Sequence, residues 1–518
     1  MVVLSLSDPD WEARGRSWWS HVRVLADDAT EGRGTGTAGY QRAADYVAER
    51  FRNAGLEPAG QDGYRQPVEF QVFQLDEPAS SLSWIRDGIT RPIKLREEAQ
   101  IAVTSGTVSD LEAEAVFVGY GLEIPERDHH DLAGLDLRGK IAVSVLGGPS
   151  GLPATIKAHY QSIRERLLGL RRAGAVGSAL VPNPKVPDIP WARLATGLLL
   201  PRMELKELDP GDPQYLPFAM AFNPDRLDLL LEGSGHSVAE LIGSLGGAGS
   251  LPRFPLAGRL RAHVAIRRSE ARCSNVVGVL PGSDPVLRHE YVVVSAHLDH
   301  LGVGEPINGD PIYSGAMDNA SGVAALIEIA RLMKTSVARP KRSIVFLAVT
   351  GEEKGLLGSQ YFARHPGVSG RIVADLNVDM FLPLYPLRHL EVMGLGESTL
   401  GPTLRDVAQK VGVETHPEYI PDQAIFVRSD QYNFVKAGVP SLMISIGYQQ
   451  GSTEEETFKA FFRDRYHSPA DDAEQPVNLA TAGQFTDLLR QMMLRVANDP
   501  RPPSWNPDSF FRKFSRPT

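Results

Sequence analysis

The 518-residue sequence contains a single cysteine, Cys273. One thiol excludes an internal disulfide framework and any all-cysteine metal site. A bound metal must therefore take its ligands from His, Asp and Glu. Long apolar runs are also missing: nothing approaches the roughly 18 residues a membrane helix needs, so no membrane span is expected. The opening, MVVLSLSDPDW, has no basic segment and no apolar core of leader length. The chain is expected in the cytoplasm as it stands, and secreted or periplasmic if a leader has been cleaved. Positive charge is short as well, with 54 Lys and Arg against 63 Asp and Glu, for a net charge of −9. That balance argues against a partner held by phosphate contacts, and no nucleic acid is expected. No G-x-S-x-G elbow or P-loop occurs, which leaves serine-hydrolase and nucleotide chemistry without support.

What is present reads as an α/β protein. Residues 11–57 form two helices around the glycine-rich loop Gly32–Gly39. That loop matches G-x-G-x-x-G (Gly34, Gly36, Gly39), but no strand precedes it, so a flexible turn before a helix is expected rather than a dinucleotide site. From about residue 105 the texture changes to short apolar strands, one helix near 155–173, an aperiodic Pro-rich stretch from Pro182 to Pro217, and a helix near 237–245. Beyond residue 265, buried strands alternate with helices: 276–280, 291–296, 343–349, 372–378 and 440–446, with helices near 322–333, 398–411, 430–437 and 480–497. The pattern predicts a mostly parallel, mixed sheet with helices on both faces, and a Pro-rich tail from Asp499 that runs over the surface. The expected division is 1–104 and 266–518 as one split domain, with 105–265 inserted.

Histidines and carboxylates gather where these strands end, which is where open α/β sheets place ligand sites. The strand YVVVSA runs into His297, Leu298, Asp299 and His300. His297 and Asp299 point the same way from an extended segment, as a ligand and the group that orients its ring do. Asp318 precedes a helix, where an N-cap is the ordinary use of Asp. The strand SIVFLAV delivers Glu352 and Glu353, whose mutual repulsion calls for a positive charge that a metal supplies. RIVADLNV ends at Asp379, and His467 follows Tyr466 in RYHSPADD. Two divalent ions against the carboxylates of Asp318, Glu353 and Asp379 leave a net positive charge, which favours hydroxide over water. Mixed imidazole and carboxylate ligation suits zinc first, with manganese or cobalt as substitutes.

The order HLDH, SGAMDNASG, TGEEKGLLGS, NVDM and YHSPADD resembles the co-catalytic dizinc exopeptidases, a family that includes bacterial leucine-type aminopeptidases and glutamate carboxypeptidases. The segment LADDATEGRGTGTAGYQRAADYVAERFRNAGLEP is similar to that family's opening. The region from VFVGYGL to RRAGAVGSALV resembles a mainly-β protease-associated domain inserted into the catalytic chain. The resemblance implies two zinc ions, one held by His297 and Asp379, the other by Glu353 and His467, with Asp318 bridging. It implies a cis peptide bond after Asp318, Asp299 orienting His297, Glu352 as general base, and Tyr466 donating to the oxyanion. The implied reaction is removal of the N-terminal residue from a peptide with a free N-terminus.

Two alternatives stay open. A carboxypeptidase or dipeptidase of the same family needs cations for the substrate carboxylate, and Arg428, Arg463 and Arg465 are the ones at hand. A non-catalytic binding scaffold of the transferrin-receptor type has no need of Glu352 and a full ligand set. His129 and His130 read as solvent-facing loop residues, His300 as a packed or supporting residue, and Ser429-Asp430 as a helix N-cap. The sequence carries no signal of oligomeric state.

Overall fold

The computed structural model describes residues 10–185, 189–207, 215–335 and 339–515. The opening residues 1–9, parts of the Pro-rich stretch (186–188 and 208–214) and the last three residues lie outside the described residues. The chain forms two compact units: one of Met1–Val68, Arg272–Tyr419 and Ser429–Thr518, the other of Glu69–Ala271 and Ile420–Arg428.

The first unit is built on the expected sheet. Strands Ser343–Val349, Glu290–His297, Arg371–Asn377 and Ser441–Ile446 lie side by side and parallel. Residues 276–280 run antiparallel beside the first of these, and His389–Met393 antiparallel beside the last. The short strand Glu414–His416 closes the edge, parallel to His389–Met393. Side chains alternate along a strand, so each central strand feeds two cores. Val277, Val293, Val345 and Leu347 pack with Phe362 and Phe434, from helices Leu357–Arg364 and Gln431–Lys436. On the opposite face Phe346 meets Phe51 of helix Ala38–Asn53, their rings 6.1 Å apart. Apolar runs without alternation are the signature of strands covered on both sides.

Helices Trp11–Leu25, Ala38–Asn53, Ser321–Lys334 and Leu479–Asn498 form one packed layer. Trp18 joins two of them: its indole N–H donates to the Ser321 carbonyl at 2.9 Å, and its ring lies 5.3 Å from Phe381. The tail is not purely superficial, because Phe511 is fully buried. Two further helices, Leu357–Arg364 and Thr453–Asp464, were not expected.

The second unit starts at Glu69, not near residue 105. The reason is strand pairing. Ser81–Arg86 and Ile89–Ile93 pair with each other, Ser81–Arg86 pairs with Phe254–His263, and Ala99–Ile101 pairs with Phe218–Phe222, so all of 81–101 belongs to the eight-stranded sheet of this unit. Its centre is parallel, through Asp110–Phe117, Ile141–Val145, Gly177–Val181 and Phe218–Phe222. The expected helix at 155–173 is broken in two, Ala154–Gln161 and Ile163–Arg172, because Ser162 adopts an extended conformation and its hydroxyl caps the second piece at Glu165 N. The aperiodic stretch contains a helix, Trp191–Gly197, and a strand, Arg202–Leu205, which pairs with residues 70–73. His130 is partly exposed beside Glu123, but His129 is not solvent-facing: it is 11% exposed and lies 3.1 Å from Asp131, whose hydrogen bond raises its pKa. Among the described residues no helix is long and apolar enough to cross a membrane.

One buried carboxylate ties the helical layer together. Glu328 is 2% exposed and lies within hydrogen-bond reach of His21 (3.1 Å), Ser17 (3.0 Å) and Arg331 (2.8 Å). Burial opposes its charge, yet the bonds from His21 and Arg331 win and hold its pKa at about 2. The folded pKa lies below the ordinary carboxylate value, so this stabilisation is present above that value and lost as pH falls toward about 2. Glu328→Gln is expected to cost about 2–3 kcal/mol at pH 7. Urea unfolding at a series of pH values should show the deficit shrinking below about pH 5; a deficit independent of pH would refute the ionic account.

Candidate metal centre

The site assembles from the loops that follow the strands. His297 closes the strand Glu290–His297. Its Nδ1 lies 3.0 Å from the Asp299 carbonyl, which can only accept, so Nδ1–H donates and Nε2 is left to face the carboxylates. Nε2 stands 3.1 Å from Asp318 Oδ1 and 3.2 Å from Asp379 Oδ1. On the other side His467 Nε2 lies 3.2 Å from Asp318 Oδ2 and 3.4 Å from Glu353 Oε2. The two oxygens of Asp318 thus turn to two different histidines, each with its own second carboxylate. His300 Nδ1 meets the remaining oxygen of Glu353 at 2.8 Å.

The converging side chains are held from behind. Asp318 lies in the tight turn Ala316–Ala320 before helix Ser321–Lys334, and its bond to Asn319 is cis. It does not cap that helix. Instead its own backbone N–H and that of Met317 donate to the Asp471 carboxylate at 3.0 Å each. Gly315 lets the turn close: with φ at 59°, a Cβ there would sit 2.5 Å from the His300 ring. Asp379 Oδ2 accepts from the Ser429 hydroxyl at 2.6 Å, and that hydroxyl accepts from Asn377 at 2.7 Å. Ser429 is therefore not an N-cap. Asp430 stands before helix Gln431–Lys436 without capping it, and its buried carboxyl accepts from Ser359 instead.

Asp299 differs from its expected role. Its carbonyl, not its carboxylate, orients His297. The carboxylate accepts from the backbone N–H groups of Glu352 (3.1 Å) and Glu353 (3.3 Å) and from Thr35 Oγ1 (2.9 Å). It shapes the loop that presents both glutamates. Arg33 and Thr35 were not foreseen, and the glycine-rich loop that carries them is no free turn. Arg33 is fully buried and donates to the carbonyls of Leu25 (2.7 Å), Leu298 (2.8 Å), Ser314 (2.6 Å) and Gly315 (2.7 Å). Nothing local marks an arginine for that task, because its partners lie up to 282 residues away. Asp471 had a weak signal, as one of the two aspartates in SPADD.

The electrostatics ask for cations. Burial would lower the pKa of His297, but Asp379 and Glu352 raise it well above its ordinary value. Burial likewise opposes charge on His467, and Glu353 with Asp318 raises it to about 10. Burial disfavours the charge of Glu353, yet His467 and His300 hold its pKa well below the usual range. Glu352 is pushed well above that range, chiefly by burial, with Glu353 and Asp379 adding repulsion against the pull of His297. Three carboxylates and two imidazoles converging with their donor atoms inward fit divalent ions of the zinc type. The groups His297–Asp318–Asp379 and His300–Asp318–Glu353 each keep their donor atoms within 4.8 Å of one another. Tyr466 is buried, with its ring stacked on His467 at 3.9 Å. Arg463 pairs with Asp464 (2.6 Å), Arg465 donates to the Ala470 carbonyl (2.5 Å), and Arg428 is exposed in the second unit.

Residues 275–493, which include every residue of this cluster, match peptidase family M28. The match spans less than half of the chain. Curated relatives agree over shorter stretches. A probable zinc metalloprotease of Pyricularia oryzae is 41% identical over 111 residues, 21% of this chain and 21% of its own length. The mouse aminopeptidase NAALADL1 is 34% identical over 170 residues, 30% of this chain and 21% of its own. The matched stretches span only about a fifth of these relatives. The fold is shared with an aminopeptidase of Aneurinibacillus sp. strain AM-1 (TM-score 0.58, 18% identity, 95% of this chain and 96% of that one). It is shared also with a zinc aminopeptidase of Bacillus subtilis (TM-score 0.51, 20% identity, 94% and 96%).

The support behind Asp379 gives a direct test. Ser429→Ala removes the hydroxyl that holds Oδ2 and leaves His297, Asp318, Glu353, Asp379 and His467 in place. Zinc affinity, measured against a competing chelator, is expected to fall roughly 10–100-fold. An unchanged affinity would show that Ser429 does not hold Asp379.

Proposed function

We propose that the chain is a zinc-dependent aminopeptidase that hydrolyses the N-terminal peptide bond with a water activated between two metal ions. One observation carries the reading: each oxygen of Asp318 faces its own histidine and its own second carboxylate. A bridging ligand between two ions needs that division. His297 and Asp379 would hold one zinc, Glu353 and His467 the other, with manganese or cobalt as substitutes. The two ions, when bound, supply a Lewis acid for the scissile carbonyl and a lowered pKa for the attacking water.

The remaining chemistry falls to side chains of this chain. Glu352 takes the proton of the attacking water and passes it to the leaving amine, a task that suits a carboxylate whose pKa is raised well above its ordinary value by burial. Asp299 fixes the backbone from which Glu352 projects. Tyr466 is assigned the hydrogen bond to the oxyanion by the family resemblance. The substrate is a peptide with a free N-terminus. The engagement of Arg463 and Arg465 with their own neighbours counts against a site built for a substrate carboxylate.

Two experiments test this. Aminoacyl-nitroanilides are expected to be cleaved and their N-acetylated forms spared, with activity abolished by a chelator and restored by zinc; cleavage of blocked substrates alone would favour the carboxypeptidase or dipeptidase alternative. Glu352→Gln should keep its zinc and lose turnover by a factor of about 10²–10⁴. If that variant loses zinc instead, the roles of Glu352 and Glu353 are reversed. A chain with neither zinc nor chelator-sensitive activity would be a binding scaffold.

A further inference from the structure

Away from Asp318, His389, Glu414 and His416 meet on the edge pair of the first unit's sheet. Glu414 and His416 are two residues apart on one strand, so their side chains leave the same face. His389 stands opposite Glu414 on the neighbouring strand. The three donor atoms form a triangle. His389 Nδ1 lies 3.1 Å from His416 Nε2, and Glu414 Oε2 lies 3.6 Å from both. Tetrahedral zinc with ligands at about 2.0–2.2 Å separates its donor atoms by about 3.3–3.6 Å. Two sides of the triangle match one face of a zinc tetrahedron, and the third is about 0.2 Å shorter than its lower bound. A hydrogen bond between the two imidazoles accounts for one side only; it gives no reason for the carboxylate oxygen to stand equally far from both rings.

We propose that His389, His416 and Glu414 form a peripheral metal site for a divalent ion of the zinc class. Two imidazoles and one carboxylate suit zinc, cobalt or nickel rather than magnesium or calcium. Exposure of the side chains rises from 14% at His389 through 35% at His416 to 72% at Glu414, so the ion lies at the surface with its fourth position open to water. Such an ion exchanges readily and yields first to a chelator. Its mechanical effect is to fasten Glu414–His416, a strand of only three residues at the sheet edge, to its neighbour.

The test is a metal count on the full chain. Chelator-stripped protein is titrated with Co²⁺ and Zn²⁺, read by d–d absorption and by competition. The wild type is expected to bind one equivalent more than His389→Ala/His416→Ala, the lost equivalent being the first removed by chelator. Glu414→Gln should weaken that equivalent at least about tenfold and leave the others unchanged. Equal stoichiometry in the wild type and the folded double variant overturns the site. If the double variant does not fold, Glu414→Gln decides, since its side chain is largely exposed: an unchanged affinity of every equivalent overturns the proposal. Loss of aminopeptidase activity plays no part in either reading.

Discussion

Desolvated negative charge is the constraint that the first unit is built around. Asp318 and Asp379 are 3% and 7% exposed, and they converge with Glu353 on two imidazoles. Carboxylates taken out of water at this spacing repel one another strongly and must be given positive charge or protons. The fold answers in two ways. It brings the histidines in from separate segments, one at a strand end and one before the last long helix. It also aims donors at the oxygens that do not face the centre, as Ser429 does for Asp379 and His300 for Glu353.

The same logic runs through the surrounding backbone. Asp299 and Asp471 are fully buried, and each accepts from two consecutive backbone N–H groups. Each carboxylate is thereby satisfied without an ion pair, and each fixes a loop that presents a residue of the cluster. Arg33 is the inverse case, a cation satisfied by carbonyls. Burial lowers its pKa to about 10, while Asp318, Asp471 and Asp299 pull the other way, so it stays charged at neutral pH. A permanent buried positive charge beside the cluster reduces its repulsion and, through four carbonyls, locks the loops that bear Asp318 and His297 into one arrangement.

How much of this was legible follows from the distance over which each cause acts. The central strands were legible because burial on both faces writes an unbroken apolar run into the sequence. The residues of the cluster were legible because they stand where those strands end. Asp299 was placed correctly but given the wrong bond: alternation says which way a side chain points, not whether its carbonyl lies nearer the target. Ser429 and Asp430 sit where an N-cap belongs, and only the approach of Asp379 and Ser359, 50 and 71 residues away, gives them other partners. Arg33 had no local sign at all. The boundary of the second unit was misjudged because strands 81–101 alternate like any half-buried strand, and nothing in such a pattern names the sheet they will join. Helices 357–364 and 453–464 are short amphipathic pieces flanked by glycine and serine, and their texture passes for loop.

Not every buried carboxyl near the site adds to its charge. Burial raises Asp375 well above the usual carboxylate range and raises Asp430 to about 7, so burial favours the neutral form of both. Asp375 accordingly forms only a hydrogen bond with Ser295. The charge at the centre is thus set by Asp318, Glu353, Asp379 and whatever Glu352 carries. Glu352 is raised, because burial disfavours its charge and neighbouring carboxylates repel it. Positive charge placed among those carboxylates acts on Glu352 as well: it offsets the repulsion and lowers the proton affinity of that group. The cation demand of the cluster and the raised proton affinity of Glu352 are thus two consequences of one crowded set of charges.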